Sequence, residues 1–479
     1  MCENGRGSGP AMKNLILVLL LATPAFAQEL VHATALGSAK FSDLAALELP
    51  QREPRTRKHR FLPAFAARVA PAVHANAVLA SETIPAPPVR HTFTSGTSRQ
   101  LAPADASGAV GRTHVVGVYN NAIVIHDRAG NVLGSMSLRQ FFATSGAIGD
   151  QYDPRTAYDS LHDRWIVMAV DREESLIFAV SESGNPLDSW RRYSIDATGG
   201  NIYDFSRIAL TRDSVILGTC SGYDYNDSTE FFSIAKSALY GGANPMPVAR
   251  YTFSGDPFVA PVHGESAATE WVVTADGAGI MIGRLGETVL RWIAAPWHIP
   301  QPDLFLSQLG AGDLAYSERQ VESAVYRNGS IYAVISAGRI GMTGSSTIVW
   351  VRFDPNTLAA TWGVIGDPAN VVVYAYPSIA ANEGGAFLVG FGTFSPAQYP
   401  SAAYVYGDLF GRTSAPVTIR AGETPVSVTD RWGDYTTTVS DPIAPANFWT
   451  LQIASTNGTW GTLWTHVEAP ASRRRAVRH

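Results

Sequence analysis

Short apolar runs separated by Gly, Asn, Asp and Pro fill most of the chain, from residue 98 to residue 469. The runs are rich in Val, Ile, Tyr, Phe and Trp, which is typical of β-strands, and the residues between them are those of tight turns. Helical periodicity is nearly absent there, with brief exceptions at 138–142 and 233–239. The pattern predicts an all-β domain, which leaves a sandwich, a barrel or a propeller. The clearest runs are 115–119, 122–126, 165–170, 176–181, 215–218, 271–274, 331–336, 348–353, 387–391 and 448–453.

One arrangement of residues recurs within this region. Each copy has an acidic or polar residue, then small or β-branched residues, a polar turn and a strongly apolar run. Small side chains suit the crowded innermost strand of a propeller blade, and large apolar ones suit the second strand, which lies between packed blades. Successive copies begin 48 to 61 residues apart, as expected of blades with long loops. We therefore predict a β-propeller of about seven four-stranded blades over residues 98–469, rather than a sandwich or separate β-domains. The copies begin at Asp105, Asp153, Asp204, Glu265, Glu322, Tyr376 and Asp434.

The N-terminal residues show a different pattern. A lysine after Met12, an apolar run at 15–22 and the motif Ala25-Phe26-Ala27 are together typical of a secretory signal peptide. We expect residues 1–27 to be this signal, with Met12 as the true start. The mature protein is therefore expected to be secreted or periplasmic.

Two further segments lie outside the repeats. Residues 28–97 are rich in Ala, Pro and charge, with a basic cluster at 55–60, and are interpreted as a flexible leader or pro-segment. Residues 470–479 form a basic tail.

The overall charge is modest, because the 479 residues hold 36 basic and 41 acidic side chains. This balance argues against nucleic acid as a partner. No run after the signal is long and apolar enough for a transmembrane helix. Cys220 is the single cysteine after the signal, so we predict neither an internal disulfide nor a cysteine metal cluster. We expect a monomer.

Carboxylates open most of the copies. In a propeller the starts of the innermost strands meet at one mouth of the central channel, so these carboxylates are expected to converge. Like charges repel at short range, and a cation or a hydrogen-bonding ligand relieves the repulsion, so this mouth is predicted to hold Ca²⁺ or a polar ligand. Alternatively, each carboxylate accepts backbone N–H groups in its own loop or pairs with Arg155, Arg207 or Arg431. The candidate ligand-binding carboxylates are Asp153, Asp204, Glu265, Glu322 and Asp434, and the candidate metal ligands among them are Asp153, Asp204 and Asp434.

The densest local motif is Arg431-Trp432-Gly433-Asp434-Tyr435. It places a cation, an anion and two aromatic rings at one strand entry, as sugar or peptide binding requires. The same residues also suit closure of a blade, with Trp432 packed and Arg431 paired to Asp434. Arg431, Trp432, Tyr435 and Tyr376 join the candidate ligand-binding residues.

Common catalytic signatures are absent from the sequence, which has neither an H-E-x-x-H zinc motif nor a G-x-S-x-G nucleophile elbow. Glycoside hydrolysis needs two suitably spaced carboxylates, which the ring of acidic residues can provide. Three functions therefore stay open, and whether the protein is an enzyme is undecided. They are binding of a polar ligand, glycan, peptide or protein at the channel mouth; an extracellular, sialidase-like glycosidase or other hydrolase; and a non-catalytic envelope or surface scaffold.

Several motifs occur in a distinctive order between residues 98 and 466. They are 105–111, 152–154 with 158–159 and 163–165, 181–186 with Trp190, 374–378 with 399–401, and 431–435 with 441–442 and 448–449. In this set the chain resembles a group of secreted bacterial β-propeller proteins of uncharacterised function, loosely sialidase-like. The resemblance implies a propeller and secretion, and it implies no reaction and no catalytic residues.

Overall fold

The computed structural model describes residues 27–49, 73–74, 76–77, 83–98, 103–120, 122–143, 151–172, 174–197, 201–222, 228–255, 258–276, 279–287, 290–294, 305–316, 321–338, 346–427 and 430–470. The predicted signal peptide up to residue 26, the basic cluster at 55–60 and residues 471–479 of the tail lie outside these ranges. Strands dominate the described residues and the helices are short, so the all-β prediction is confirmed. Within these ranges, no helix has the length and hydrophobicity that a membrane span requires.

The described elements fall into a leader and a series of antiparallel units. The leader contributes β1 (Ala27–Lys40), α1 (Phe41–Ala45), β2 (Val73–His74), β3 (Asn76–Ala77) and β4 (Val89–Ser98). The first unit is β5 (Ser107–Val110), β6 (His114–Tyr119), β7 (Ala122–Asp127) and β8 (Val132–Ser137), followed by α2 (Leu138–Phe141). The second unit is β9 (Gln151–Asp159), β10 (Arg164–Asp171), β11 (Ser175–Ser181) and β12 (Ser189–Asp196). The third unit is β13 (Ile202–Leu210), β14 (Ser214–Gly222), β15 (Ser228–Ala235), α3 (Lys236–Gly241) and β16 (Met246–Ser254). The fourth unit is β17 (Ala260–Pro261), β18 (Trp271–Asp276), β19 (Gly279–Arg284) and β20 (Arg291–Ala294). A small pair follows, formed by β21 (Phe305–Leu306) and β22 (Leu314–Ala315). The fifth unit is β23 (Val321–Arg327), β24 (Ser330–Gly338), β25 (Ser346–Phe353) and β26 (Ala360–Ile365). The last two units are β27 (Val373–Ala381), β28 (Phe387–Ser395), β29 (Gln398–Gly407) and β30 (Val417–Arg420), and β31 (Thr437–Ser440), β32 (Phe448–Thr456) and β33 (Thr459–Val467).

The first strands of the units form a ring. β5 contacts β9, β9 contacts β13, and the contacts continue through β17, β23, β27 and β31 back to β5. Within each unit the strands pair in sequence order, so each unit is an antiparallel sheet that runs outward from the ring. Sheets arranged in this way around a common axis form a β-propeller. The predicted all-β propeller is thus confirmed, and the number of blades stays a prediction.

The last unit takes its fourth strand from the N-terminal side of the chain. β4 pairs antiparallel with β33 and places Phe93 opposite Trp464. The sheet thus includes residues before the domain start predicted at 98. This pairing joins the two ends of the ring through backbone hydrogen bonds.

The described leader residues pair with the outer edges of other units. Residues 27–33 of β1 pair with β16 and residues 34–40 pair with β12, which joins two units into one nine-stranded sheet. β2 and β3 pair in parallel with β20 and β26, and Ile84 forms a bridge with Ser414. Composition predicts a flexible leader, and these described residues differ from that prediction. They are held by backbone hydrogen bonds to strand edges that would otherwise lack a partner.

Side-chain size differs between the first and second strands as the repeat predicts. A Cβ atom at Gly108, in β5, would lie 2.2 Å from the Trp464 ring of the last unit, so the innermost strand tolerates no larger residue there. In β10, the second strand of its unit, Trp165, Ile166 and Val167 are fully buried. The large side chains thus fill the space between units, and the glycine of the innermost strand lets the Trp464 ring pack against that strand.

Candidate functional site

A positive backbone φ angle recurs near the start of the innermost strands. Asp153, Phe205 and Tyr376 have φ angles of 49°, 51° and 54°, and each begins a β-bulge in β9, β13 or β27. Asp105, just before β5, has a φ angle of 42°. The sequence repeat aligned Asp204 with Asp153, whereas the structure aligns Phe205 with Asp153. A bulge redirects a side chain, so this difference of one residue changes which side chain of β13 corresponds to that of Asp153.

Three carboxylates lie together near the starts of the innermost strands. Asp105, Asp153 and Asp434 are buried, and each offers an oxygen that lies within 4.8 Å of those of the other two. Asp153 and Asp434 belong to the predicted metal ligands. Asp105, which begins the first copy of the repeat, takes the place predicted for Asp204. Asp204 is buried in β13 and is not a member of this group.

These carboxylates have partners within the protein. The backbone N–H of Asp434 donates to Oδ1 of Asp105 at 2.8 Å, and that of Phe205 donates to Oδ2 of Asp153 at 2.8 Å. Nη2 of Arg431 lies 2.5 Å from Oδ1 of Asp434. The sequence left open the alternative that backbone N–H groups and arginines satisfy these carboxylates, and the partners seen here are of that kind.

The group has a high density of negative charge. Burial raises the pKa of Asp105 well above its ordinary value, and Asp434 and Asp153 raise it further, while Arg431 lowers it. Burial alone would lower the pKa of Arg431, but Asp434 and Asp105 raise it above its ordinary value. Ca²⁺ binds oxygen at about 2.3–2.6 Å, so the three oxygens are close enough to share one ion. The same oxygens can instead be satisfied by a proton, Arg431 and backbone donors.

A cavity of about 280 Å³ follows the innermost strands, and small side chains make up much of its wall. Arg155 and Arg207 line one end of it from the middle parts of β9 and β13, and Glu322 lines the same end from the start of β23. Glu265 and Ser160 line it near the ends of the strands. Among the described residues, none of the three clustered aspartates lines the cavity.

Glu265 lies far from the aspartates. The Ser160 hydroxyl donates to its Oε2 at 2.6 Å, and the Ser160 backbone N–H donates to its Oε1. Ser160 follows the end of β9, whereas Asp153 lies near its start, a separation of roughly 20 Å along a strand. The five predicted carboxylates therefore do not converge at one mouth. The sequence alignment misplaced Glu265 because β17 has two residues and Glu265 follows it instead of beginning it.

Glu322 is the predicted carboxylate that faces the cavity beside the two arginines. The Ser336 hydroxyl donates to its Oε1 at 3.0 Å. Burial raises the pKa of Glu322 to about 8, against the lowering effects of Ser336, Arg155 and Arg207, and Asp434 raises it further. At neutral pH this carboxyl is therefore largely protonated and can donate a hydrogen bond.

Arg155 and Arg207 are held against aromatic rings. The guanidinium carbon of Arg155 lies 3.2 Å from the centre of the Tyr435 ring, and its Nε donates to the Ser206 carbonyl at 2.7 Å. The guanidinium carbon of Arg207 lies 4.6 Å from the centre of the Phe205 ring. The sequence suggested these two arginines only as alternative partners of the carboxylates. Each arginine directly follows the bulge of its strand, a shared position that sequence spacing does not reveal.

The aromatic residues of the predicted ligand wall are buried. Trp432 packs edge-on against Phe394 at 5.5 Å between ring centres, and the Tyr435 hydroxyl donates to the Pro154 carbonyl at 3.0 Å. Tyr376 is also buried. In the described part of the chain none of these rings lines the cavity, so their contacts match the alternative of blade closure.

The likeness of this chain to known proteins is distant. No protein-family model matches the chain, and no curated protein matches it significantly. Similar solved structures include the propeller domain of the Trilobed protease from Pyrococcus furiosus (TM-score 0.40, 10% identity, covering 77% of this chain and 97% of that chain). Another is an α-L-arabinofuranosidase from Fusarium graminearum (TM-score 0.40, 9% identity, covering 80% of this chain and 98% of that chain). A third is the WD40 domain of SCAP from fission yeast (TM-score 0.35, 7% identity, covering 80% of this chain and 98% of that chain).

Proposed function

We propose that the protein is a secreted, seven-bladed β-propeller that binds a small polar ligand in its central channel. The observation that carries this proposal is the cavity of about 280 Å³, with Glu322 beside Arg155 and Arg207 at one end and Glu265 at the other. Ligand sites are typically concave spaces in which a few polar groups fix the orientation of the ligand. The seven antiparallel units and the ring of their first strands support the blade count.

The size of the cavity limits the ligand. Small-molecule sites commonly have volumes of about 300–1,000 Å³, and this cavity is at the lower end. It suits a small molecule or a single residue of a glycan or peptide. A protein partner would bind at the mouth with one side chain inserted.

Binding is tested with the mature protein on glycan and peptide arrays. Because Glu322 is one of several polar groups in the channel, we expect Glu322→Gln to weaken binding modestly. Glu423→Gln, at an exposed carboxylate paired with Arg420, is the matched control and should leave binding unchanged. Equal behaviour of the two variants would contradict binding in the channel. A surface scaffold would bind no array ligand.

A second candidate function is an extracellular glycosidase. A cavity-lining carboxyl with a pKa of about 8, such as that of Glu322, has the protonation state that a general acid needs. In a screen with chromogenic glycosides, the wild type would then turn over a substrate and Glu322→Gln would lose about 100-fold or more of that activity. Absence of turnover by the wild type would rule out this candidate for the glycosides used.

Secretion, as part of the proposal, rests on the N-terminal sequence pattern. The full chain expressed in a bacterial host should appear outside the cytoplasm with Gln28 as its first residue. Recovery of the intact chain from the cytoplasm, with its N-terminus uncleaved, would contradict secretion.

A further inference from the structure

Arg155 presents hydrogen-bond donors to the channel that the described residues do not satisfy. Its side chain lines the cavity, and its Nε donates to the Ser206 carbonyl. In the described part of the chain, neither terminal nitrogen of Arg155 has a protein acceptor, and no carboxylate forms an ion pair with it. A guanidinium has five N–H donors, so the two terminal nitrogens need acceptors from solvent or a ligand.

The charged side chains that line this end of the cavity are positive. Arg207 also lines the cavity, and its charge repels that of Arg155. Glu322, the carboxyl at this end, is largely protonated at neutral pH and so does not neutralise the arginines. Asp153 and Asp105 attract Arg155, but neither lines the cavity. A negatively charged group in the channel would therefore lower the electrostatic energy of the site.

The orientation of Arg155 suits a planar or tetrahedral oxyanion. Stacking on Tyr435 fixes the plane of the guanidinium, and the bond from Nε to Ser206 fixes its rotation. The two remaining nitrogens then form one edge, which matches two oxygens of a carboxylate or phosphate.

We infer that Arg155, assisted by Arg207, binds an oxyanion of the channel ligand, so that the part of the ligand inside the channel carries a carboxylate or a phosphate. The inference rests on the proposed function of the channel and names the class of its ligand. A carboxylate and a phosphate share the required chemistry, and the experiment distinguishes them.

The test is isothermal titration calorimetry of the mature protein at pH 7 with D-glucuronate, D-glucose 6-phosphate and D-glucose. We expect at least one acidic sugar to bind with a Kd below about 1 mM and D-glucose to bind at least about tenfold more weakly. The stronger of the two acidic sugars identifies the oxyanion.

Substitutions locate the bound oxyanion. Arg155→Gln and Arg155→Lys should weaken binding of the acidic sugar about 10-fold to 100-fold, because both lose the two-nitrogen edge. Arg90→Gln, at an exposed arginine on β4, should leave binding unchanged. If melting curves show that the Arg155 variants are unfolded, Ser323→Leu fills the same cavity from β23 and should abolish binding.

The outcomes separate this inference from the proposed function. If neutral glycans bind as tightly as acidic ones, and Glu322→Gln weakens that binding, the proposed channel function stands and the oxyanion inference is overturned. Acidic sugars that bind equally to wild type, Arg155→Gln and Ser323→Leu would also overturn it. If no sugar or array ligand binds, both are overturned.

Discussion

The guanidinium carbon of Arg155 lies 3.2 Å from the centre of the Tyr435 ring. Arg155 belongs to β9 in the second unit, and Tyr435 precedes β31 in the last unit, so the contact joins units that are not neighbours in the ring. Cation–π contacts of this kind are strongest when the pair is shielded from water. The pair therefore contributes to both closure of the ring and the position of Arg155 in the channel.

Tyr435 is buried, and two substitutions should distinguish the contribution of its hydroxyl from that of its ring. Tyr435→Phe keeps the ring and loses the hydrogen bond to the Pro154 carbonyl, which should cost about 1 kcal/mol of unfolding free energy. Tyr435→Ala also removes the ring and should cost about 3–5 kcal/mol. Urea denaturation measures both values. Equal small costs would show that the ring does not stabilise this contact.

Glu322 should make stability depend on pH. The pKa of its carboxyl rises from an ordinary 4.5 to about 8 in the folded protein, so the folded state favours the protonated form. Its stabilising effect is complete below about pH 4.5 and is lost as the pH rises through 8, at up to about 1.4 kcal/mol per pH unit. Arg155, Arg207, Asp434 and Ser336 act on this group, and all remain in Glu322→Gln.

The comparison is made by urea denaturation of wild type and Glu322→Gln at pH 5 to pH 9. The unfolding free energy of the wild type should fall more steeply with pH than that of the variant. Parallel curves would show that the pKa of Glu322 is not raised.

Removal of metal ions should leave the protein unchanged. Asp105, Asp153 and Asp434 have backbone donors and Arg431 as partners, so a cation is not needed to balance them. We expect EDTA to have no measurable effect on the melting temperature. A rise in melting temperature on addition of Ca²⁺, reversed by EDTA and lost in Asp105→Asn, would instead support the predicted metal site.

The strands could be predicted from sequence because their signals are local. The apolar runs at 165–170 and 331–336 lie within β10 and β24, and the short helical pattern at 138–142 overlaps α2. The strand conformation of such a run is favoured by the residues within the run and by the turn residues at its ends. The repeat of small and large residues then predicted the ring.

The site could be predicted in part, because a bulge changes the register without changing the composition. Asp204 and Phe205 are adjacent, and which of them aligns with Asp153 depends on backbone geometry that sequence spacing does not reveal. The short strand β17 displaced Glu265 in the same way. Strand β1 was missed for another reason, since it is held by the edges of β12 and β16 and needs no alternating pattern of its own.

The buried ion pair of Lys236 should be important for stability. Its Nζ lies 2.8 Å from Oδ2 of Asp159, and both side chains are almost fully buried. Lys236→Met would leave Asp159 charged without this partner, at a cost of about 3–5 kcal/mol. Arg212→Met, at the exposed pair with Asp213, should cost less than about 1 kcal/mol. Urea denaturation distinguishes the two, and similar costs would contradict the importance of burial.

Strand β1 should be required for the stability of the sheets that it joins. Removal of residues 28–40 would expose the edges of β12 and β16 and lose the hydrogen bonds of the strand, each worth about 0.5–1.5 kcal/mol. Exposed edges also pair with other chains, so we expect both a lower unfolding free energy in urea and aggregation visible by light scattering. Leu30→Lys changes an exposed side chain of the same strand while keeping its backbone, and should alter neither measurement. If the shortened protein were as stable and monodisperse as the wild type, β1 would be a dispensable addition to the propeller.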